Sequence, residues 1–275
     1  MEVDRLQNTH FLLKHIWKSN FSAPIEQLLD SCVNGKGACV LDIGCGPGTW
    51  VLEMASEYPD AEFIGIDISP VYPSEIKPPK ATFYEHNVLR RLPTIPDNTV
   101  DYVHMRSMMA AFTEIEWTEI VLPELIRVLK PGGWIELCEL DMQFCNPGPS
   151  GQRLSDAAIA FFAANDINGL IAAKLSSFLS ETHQLRKIKQ EERCSPCGEW
   201  GGKVGQLVAK DNIDAYIGLK TYLSDFMGAT HEEYDKILKS FADEMNNYRT
   251  SHKSYRIYAQ KFWPNTTTTT TSTTP

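Results

Sequence analysis

Short apolar runs and longer amphipathic ones alternate along the chain, and the two periods predict different elements. Residues 2–18 place Leu6, Leu12, Leu13, Ile16 and Trp17 at mostly helical spacing. A second short helix is predicted over 24–32, where Pro24 suits a first helical turn. Residues 38–43 form a buried strand that ends in a glycine-rich turn, and 50–57 a helix stopped by Pro59. The strand predicted over 61–66 ends at Asp67. The next stretch, 70–79, holds four prolines and reads as a loop where a crossover helix would be expected. Strands follow at 81–88 and 99–105, then a long helix over 114–130 with Pro123 inside it. Pro131, Gly132 and Gly133 turn the chain into a strand at 134–140. Beyond Gly151 the pattern becomes helical over 151–183, with a strand at 186–193, helices at 203–227 and 231–247, and a closing strand at 255–262.

This alternation predicts an α/β, doubly wound, mostly parallel sheet with helices on both faces and a helical insertion near the C-terminus. No linker divides it, so residues 1–265 read as one domain: a cofactor-binding core at 38–141, helices at 2–32, and a helical insertion at 200–248 before the last strand. Residues 266–275 are nine Thr or Ser and one Pro, have nothing to bury, and are predicted to be disordered.

Composition narrows the function classes. Hydrophobic residues at 43% and charged residues at 22% suit a globular chain with a substantial core. A net charge of −9 argues against a broad nucleic-acid footprint, so no nucleic acid is expected as partner. No apolar run is long enough to span a membrane, and Met1 to Arg5 carry early acids rather than a secretory signal. Seven scattered cysteines suit free thiols in a reducing, cytoplasmic or nuclear compartment, which makes the sequons at Asn20 and Asn265 chance matches. Cys194 and Cys197 form a C-x-x-C pair with no second pair to complete a zinc site, so no metal is expected. Nothing in the pattern specifies an oligomeric state.

The turn Asp42-Ile43-Gly44-Cys45-Gly46-Pro47-Gly48 carries the clearest chemistry. Glycines between a strand and a helix let the backbone approach a ligand, and the following helix N-terminus favours an anionic group there. A dinucleotide site wants a third glycine three residues after the second. That position is Thr49, so the pattern fails and a nicotinamide oxidoreductase is disfavoured. Asp42 can accept from a ligand ammonium group or hold the turn through its N–H groups. Asp67, at the end of the second strand, can accept both hydroxyls of a ribose.

Residues 40–49, Asp67 within Ile64-Gly65-Ile66-Asp67-Ile68-Ser69, and residues 129–136 resemble three motifs of class I S-adenosylmethionine-dependent methyltransferases, in the family's order. The resemblance implies a seven-stranded Rossmann-like fold, S-adenosyl-L-methionine as cofactor, and methyl transfer to a small-molecule or protein acceptor. It places Asp42, Gly44, Cys45, Gly46 and Gly48 around the methionine half. Asp67 and Ile68 lie beside the ribose, and Asn87 and Val88 at the adenine edge. Family members often have an acid where Asn87 stands. A narrower resemblance, through Glu2 to Leu6, His10, Ala23-Pro24-Ile25-Glu26, Trp50, Asp67 to Pro70 and His104-Met105-Arg106, is to fungal methyltransferases, some relatives of which regulate secondary metabolism. It implies that helices 2–32 lid the cofactor, with roles for Arg5, His10 and Trp50, and it leaves a regulatory protein acting through nuclear partners as the alternative.

Methyl transfer is an in-line displacement that leans on positioning, with a base needed for some acceptors. The candidates at the strand ends are His104, Arg106, Glu139 and Asp141, with His10 and His86 nearby. His104 reads more readily as a satisfied core histidine. Arg106 reads as an ion-pair partner or as a clamp for the cofactor carboxylate or an acidic substrate, and is counted among the cofactor residues. No residue receives a catalytic label. The stripe Tyr216, Leu219, Tyr222, Leu223, Phe226 and Met227 reads as core or pocket wall, and 186–189 as a solvated strand face.

Overall fold

The computed structural model describes residues 2–31 and 36–262. The predicted disorder at 266–275, the sequon at Asn265 and the end of the helix predicted over 24–32 lie outside them. Seven strands form one sheet: β1 Cys39–Ile43, β2 Glu62–Asp67, β3 Ala81–Glu85, β4 Val100–Arg106, β5 Leu129–Cys145, β6 Leu185–Pro196 and β7 Ser251–Lys261. Their order is β3-β2-β1-β4-β5-β7-β6, with β7 antiparallel to both neighbours and β1 to β5 parallel. The chain reverses direction across the sheet between β1 and β4, where open α/β sheets place their ligands.

Alternation along the strands sends Leu41, Ile43, Val103, Met105, Ile135 and Leu137 to one face, into the largest core cluster. Val40, Tyr102 and Trp134 go to the other face. That second face is covered by α1 (Glu2–Trp17), α2 (Glu26–Leu29) and α3 (Thr49–Glu57). Trp50, Val51 and Met54 of α3 are buried against it. The first face takes α4 (Glu114–Glu116) and α5 (Leu122–Val128), joined by a π-helical turn over Trp117–Val121. The single helix predicted over 114–130 is therefore three pieces. Pro123 lies in the first turn of α5, where its missing N–H costs nothing, and the π turn absorbs the offset.

The turn predicted at 131–133 is instead a bow within β5: Leu129 faces Val100 and Trp134 faces Tyr102, so residues 130–133 bulge out. No helix forms over 70–79, as the prolines predict. Between β5 and β7 come α6 (Pro149–Ala163), α7 (Leu175–Glu181) and, after β6, α8 (Gly202–Gly218), α9 (Lys220–Phe226) and α10 (His231–Asn247). Thr230 and Glu233 cap α10 reciprocally, and Tyr234, Leu238, Phe241 and Met245 bury one stripe of it with Phe144 and Leu154. Among the described residues no helix is long and apolar enough to cross a membrane.

Candidate active site

The end of β1 runs into Gly44, Gly46 and Gly48, all left-handed with φ of +67°, +52° and +74°. Their missing Cβ atoms face three different neighbours. A Cβ on Gly44 would lie 2.2 Å from Met108 Sδ, and one on Gly48 would lie 2.7 Å from the Phe83 ring. On Gly46 the nearest atom would be Leu6 Cδ1 of α1, at an ordinary 3.7 Å. Gly44 and Gly48 thus make room for protein side chains, and Gly46 is the glycine on which α1 rests.

The two acids divide their work in a way the spacing did not predict. Asp42 is buried, and its Oδ1 meets His104 Nδ1 at 2.8 Å. Asp67 is the residue that grips the turn: Oδ2 accepts from Gly46 N at 2.7 Å and Oδ1 from Ser69 N at 2.9 Å. Gly44 N and Cys45 N donate to Ile66 O at 2.8 and 3.0 Å, which ties the turn to β2 through backbone alone. Cys45 is buried, and burial followed by the charges of Asp42 and Asp67 pushes its thiol up, so it is an inert packing group.

Beside the turn lies a cavity of about 310 Å³, bounded by Gly44, Asp67, Ile68, Asn87, Met108 and Phe112 among others, with Val88 in its wall. Ile68 is exposed at its mouth. Asn87 Oδ1 accepts from Leu89 N at 2.9 Å, which closes a local turn and leaves the amide nitrogen as its donor end. The wall after β4 is set by Ser107, a non-glycine residue at φ +59° that folds Met108 back over Gly44. Glu139, within β5, fixes that wall by accepting from Met108 N at 2.7 Å and Met109 N at 3.2 Å. Burial, opposed by those two N–H groups, pushes its carboxyl up to about 8. Asp141 is half-buried, accepting from Gln143 N at 3.3 Å and meeting the Tyr255 hydroxyl at 3.5 Å.

On the α1 side, register places Asp42, His104 and Glu136 on one rung of three adjacent strands. His104 stacks on Trp50 with ring centroids 4.0 Å apart and planes within 5°, so it is a satisfied core histidine. Glu136 is fully buried and holds the segment after α1: it accepts from Ser22 N and Ala23 N at 2.8 Å and from the Tyr102 hydroxyl at 3.2 Å, with Arg256 Nε at 3.7 Å. Trp50 Nε1 donates to Asn20 O at 3.0 Å in the same segment. Asn20 is itself buried and bonded to Glu53, which fits a sequon that is only a chance match.

Arg106 lies on this side, apart from the residues that line the cavity. Its Nη2 meets His10 Nδ1 at 3.1 Å, and His10 Nε2 meets Glu53 Oε2 at 2.6 Å. The ion pair expected for Arg106 is not formed: among the described residues no carboxylate lies within 4 Å of its guanidinium. Arg5 turns away from the turn altogether, pairing with Glu2 and with Asp211 of α8. His86 is half-buried and faces the carbonyls of Arg90 and Arg91. Glu53, Glu136 and Met108 drew no notice in the sequence. A lone glutamate in the apolar run around Ile135 was the available signal, since a buried carboxylate must find partners.

The remaining motifs resolve as structure. Cys194 is exposed and meets Ser251 at 3.0 Å, whereas Cys197 is buried against Asn212. No cluster of three metal-ligating side chains occurs among the described residues. Tyr216 and Leu223 of the aromatic stripe are core, while Tyr222 and Phe226 are exposed.

Residues 40–133 match a methyltransferase-domain family model. The chain is 26% identical to the N-methyltransferase verN of Clonostachys rogersoniana over 94% of this chain and 90% of that one. It is 25% identical to the methyltransferase str2 of Strobilurus tenacellus over 82% of each. A match to the secondary metabolism regulator LAE1 of Cochliobolus heterostrophus reaches 36% but spans 105 residues, 38% of this chain and a third (33%) of that protein. Among solved structures, the Haemonchus contortus phosphoethanolamine N-methyltransferase 2 in complex with S-adenosyl-L-methionine superposes with a TM-score of 0.53 at 17% identity. That match covers 94% of this chain and 57% of that one. A methyltransferase from an Anabaena variabilis antibiotic-biosynthesis pathway superposes at 0.54 and 16% identity, over 86% and 94%. Residues 40–133 are a methyltransferase domain, on the fold of known methyltransferases. The fold and the glycine turn agree with that domain. The regulator match covers little beyond the motif-bearing core, whereas the matches that run through the whole chain are methyltransferases.

Proposed function

We propose that the 310 Å³ cavity seats the nucleoside of S-adenosylmethionine and that the glycine turn holds its amino-acid end. The observation that carries this is the convergence on one cavity of Asp67, Asn87, Val88 and the backbone at Gly44, at a volume near the lower end of the roughly 300–1,000 Å³ usual for ligand sites. Asp67, already bound by two N–H groups, keeps acceptor capacity for ribose hydroxyls. The Asn87 amide nitrogen donates toward adenine, with Val88 and Ile68 against its faces. Thr49 Oγ1, at the start of α3, is buried with no partner in the described structure, and a ligand carboxylate at that helix N-terminus would satisfy it.

When bound, the donor supplies an electrophilic methyl group. The chain's own residues orient it and exclude water. Glu139 holds the cavity wall through Met108 and Met109 rather than standing free as a base, so transfer rests on alignment. The acceptor is a small molecule with a nitrogen nucleophile, a reading supported by likeness to an N-methyltransferase along nearly the whole chain. Six described cysteines are free thiols, which supports a reducing compartment, cytoplasmic or nuclear.

Calorimetry with S-adenosylhomocysteine and NADH tests the donor assignment: saturable binding of the first alone is expected, and binding of NADH alone overturns it. Incubating the protein with a cell extract and methyl-labelled S-adenosylmethionine, then finding label by mass spectrometry on a small amine, tests the acceptor. Label found only on proteins would refute it.

A further inference from the structure

The guanidinium of Arg106 ends β4 half-buried, and its closest polar contact is to a histidine. Arginine donates at every nitrogen and accepts at none. The 3.1 Å contact from Arg106 Nη2 therefore requires a lone pair on His10 Nδ1. In the neutral ring the proton then sits on Nε2, where Glu53 Oε2 accepts it at 2.6 Å. Glu53 is fixed in turn: Lys14 Nζ donates to Oε1 at 2.6 Å and Asn20 Nδ2 to Oε2 at 3.1 Å. Although burial opposes it, these three donors hold the Glu53 carboxyl below its usual range. His10 is pushed down to about 4, by burial first and by the Arg106 charge next, so the ring between the cation and the anion is neutral.

This arrangement has a consequence for Arg106. It gives one N–H to a neutral acceptor, and no carboxylate of the described residues lies within 4 Å of it. A partly buried cation without an anionic partner is costly, and a bound carboxylate removes that cost. The three residues arrive from three elements around the same turn: Glu53 from the helix that follows it, Arg106 from the strand beside β1, and His10 from the helix whose Leu6 rests on Gly46. The methyl donor carries one carboxylate, at its amino-acid end.

We propose that His10 is a positioning residue: held by Glu53 as the Nε2–H tautomer, it turns the Arg106 guanidinium so that its remaining N–H groups receive the carboxylate of the methyl donor. The proposal rests on the reading of the turn as the donor site. It makes α1 part of the donor site rather than a cover laid over it.

Two ligands separate this role from a structural one. S-adenosylhomocysteine has the carboxylate, and 5′-methylthioadenosine has the same nucleoside and thioether without the amino-acid end. Calorimetry on the full chain gives the ratio of their dissociation constants, with folding of each variant checked by circular dichroism. Arg106→Met is expected to weaken S-adenosylhomocysteine about a hundredfold and leave 5′-methylthioadenosine unchanged. His10→Ala and Glu53→Gln are each expected to weaken the first ligand about tenfold with the second unchanged, and the double variant to be no worse than His10→Ala. His10→Asn, which restores an acceptor facing Arg106, is expected to recover part of the loss. If His10→Ala and Glu53→Gln weaken both ligands alike, or neither, His10 does not position the arginine. If Arg106→Met leaves the ratio at its wild-type value, Arg106 is not the carboxylate partner and the proposal falls with the donor site intact. If the wild-type chain binds neither ligand, the donor-site reading falls first.

Discussion

Two regions flank the carboxyl edge of the sheet, and they are built by different means. The cavity by Gly44, Asp67, Asn87 and Met108 holds about 310 Å³ of open space, whereas the pocket under α1 by Leu13, Trp17, Arg106, Glu139 and Arg256 holds about 10 Å³. The first is framed by backbone: Gly44 N and Cys45 N on Ile66 O, and Gly46 N on Asp67. The second is framed by side chains far apart in the chain, such as Trp17 on Ser254 and Arg106 on His10. The cavity beside the turn is therefore open in the fold as it stands, while the space under α1 is filled by side chains.

The largest effect that would break this contrast is at Gly44. Gly44→Val puts a branched residue at φ +67° and into Met108, and is expected to cost about 3–5 kcal/mol of stability and abolish donor binding. Gly46→Val, facing Leu6 at ordinary contact distance, should lose donor binding at a smaller stability cost. Denaturant melts of the pair check this; equal destabilisation would mean the two glycines do not differ as described. Next, Asp67→Ala removes the grip on Gly46 N and the proposed ribose acceptor. Donor affinity should fall by about 2–4 kcal/mol by calorimetry, and an unchanged dissociation constant would refute the role.

The α1 side carries its own pH dependence. Because His10 is pushed down to about 4 in the fold, its unfolded form takes up a proton first as pH falls. Stability is thus full above about 6.5 and declines toward pH 4, by up to about 3 kcal/mol. Hydrogen exchange should show α1 loosening in that window while β1 and β2 stay protected, and His10→Gln should flatten the decline. Uniform loosening of both regions would contradict the separation. The smallest effect is at Cys194, an exposed thiol that lines neither region, where Cys194→Ser should shift stability by less than about 0.5 kcal/mol with donor affinity unchanged.

The same contrast governs what the sequence could disclose. Strands such as Val100–Arg106, the loop over 70–79, and the turn were legible because each is local: apolar runs, four prolines, three spaced glycines. Asp67 stood out as the acid ending a strand, but its bond to Gly46 N did not, because register between β1 and β2 decides it. Arg106 and His10 were both visible as candidates, and their pairing was not, since it joins residues 96 positions apart through a helix packing that no local pattern encodes. Pro123 falls in a single predicted helix because a π turn leaves no sequence period of its own.

A crystal structure of the full chain with S-adenosylhomocysteine would show whether the nucleoside occupies the cavity beside Gly44. The ribose hydroxyls are expected within hydrogen-bonding distance of Asp67, the adenine between Ile68 and Val88, and the amino-acid end over Gly44 to Gly48. A nucleoside bound elsewhere, with the cavity beside Gly44 left open, would contradict that placement.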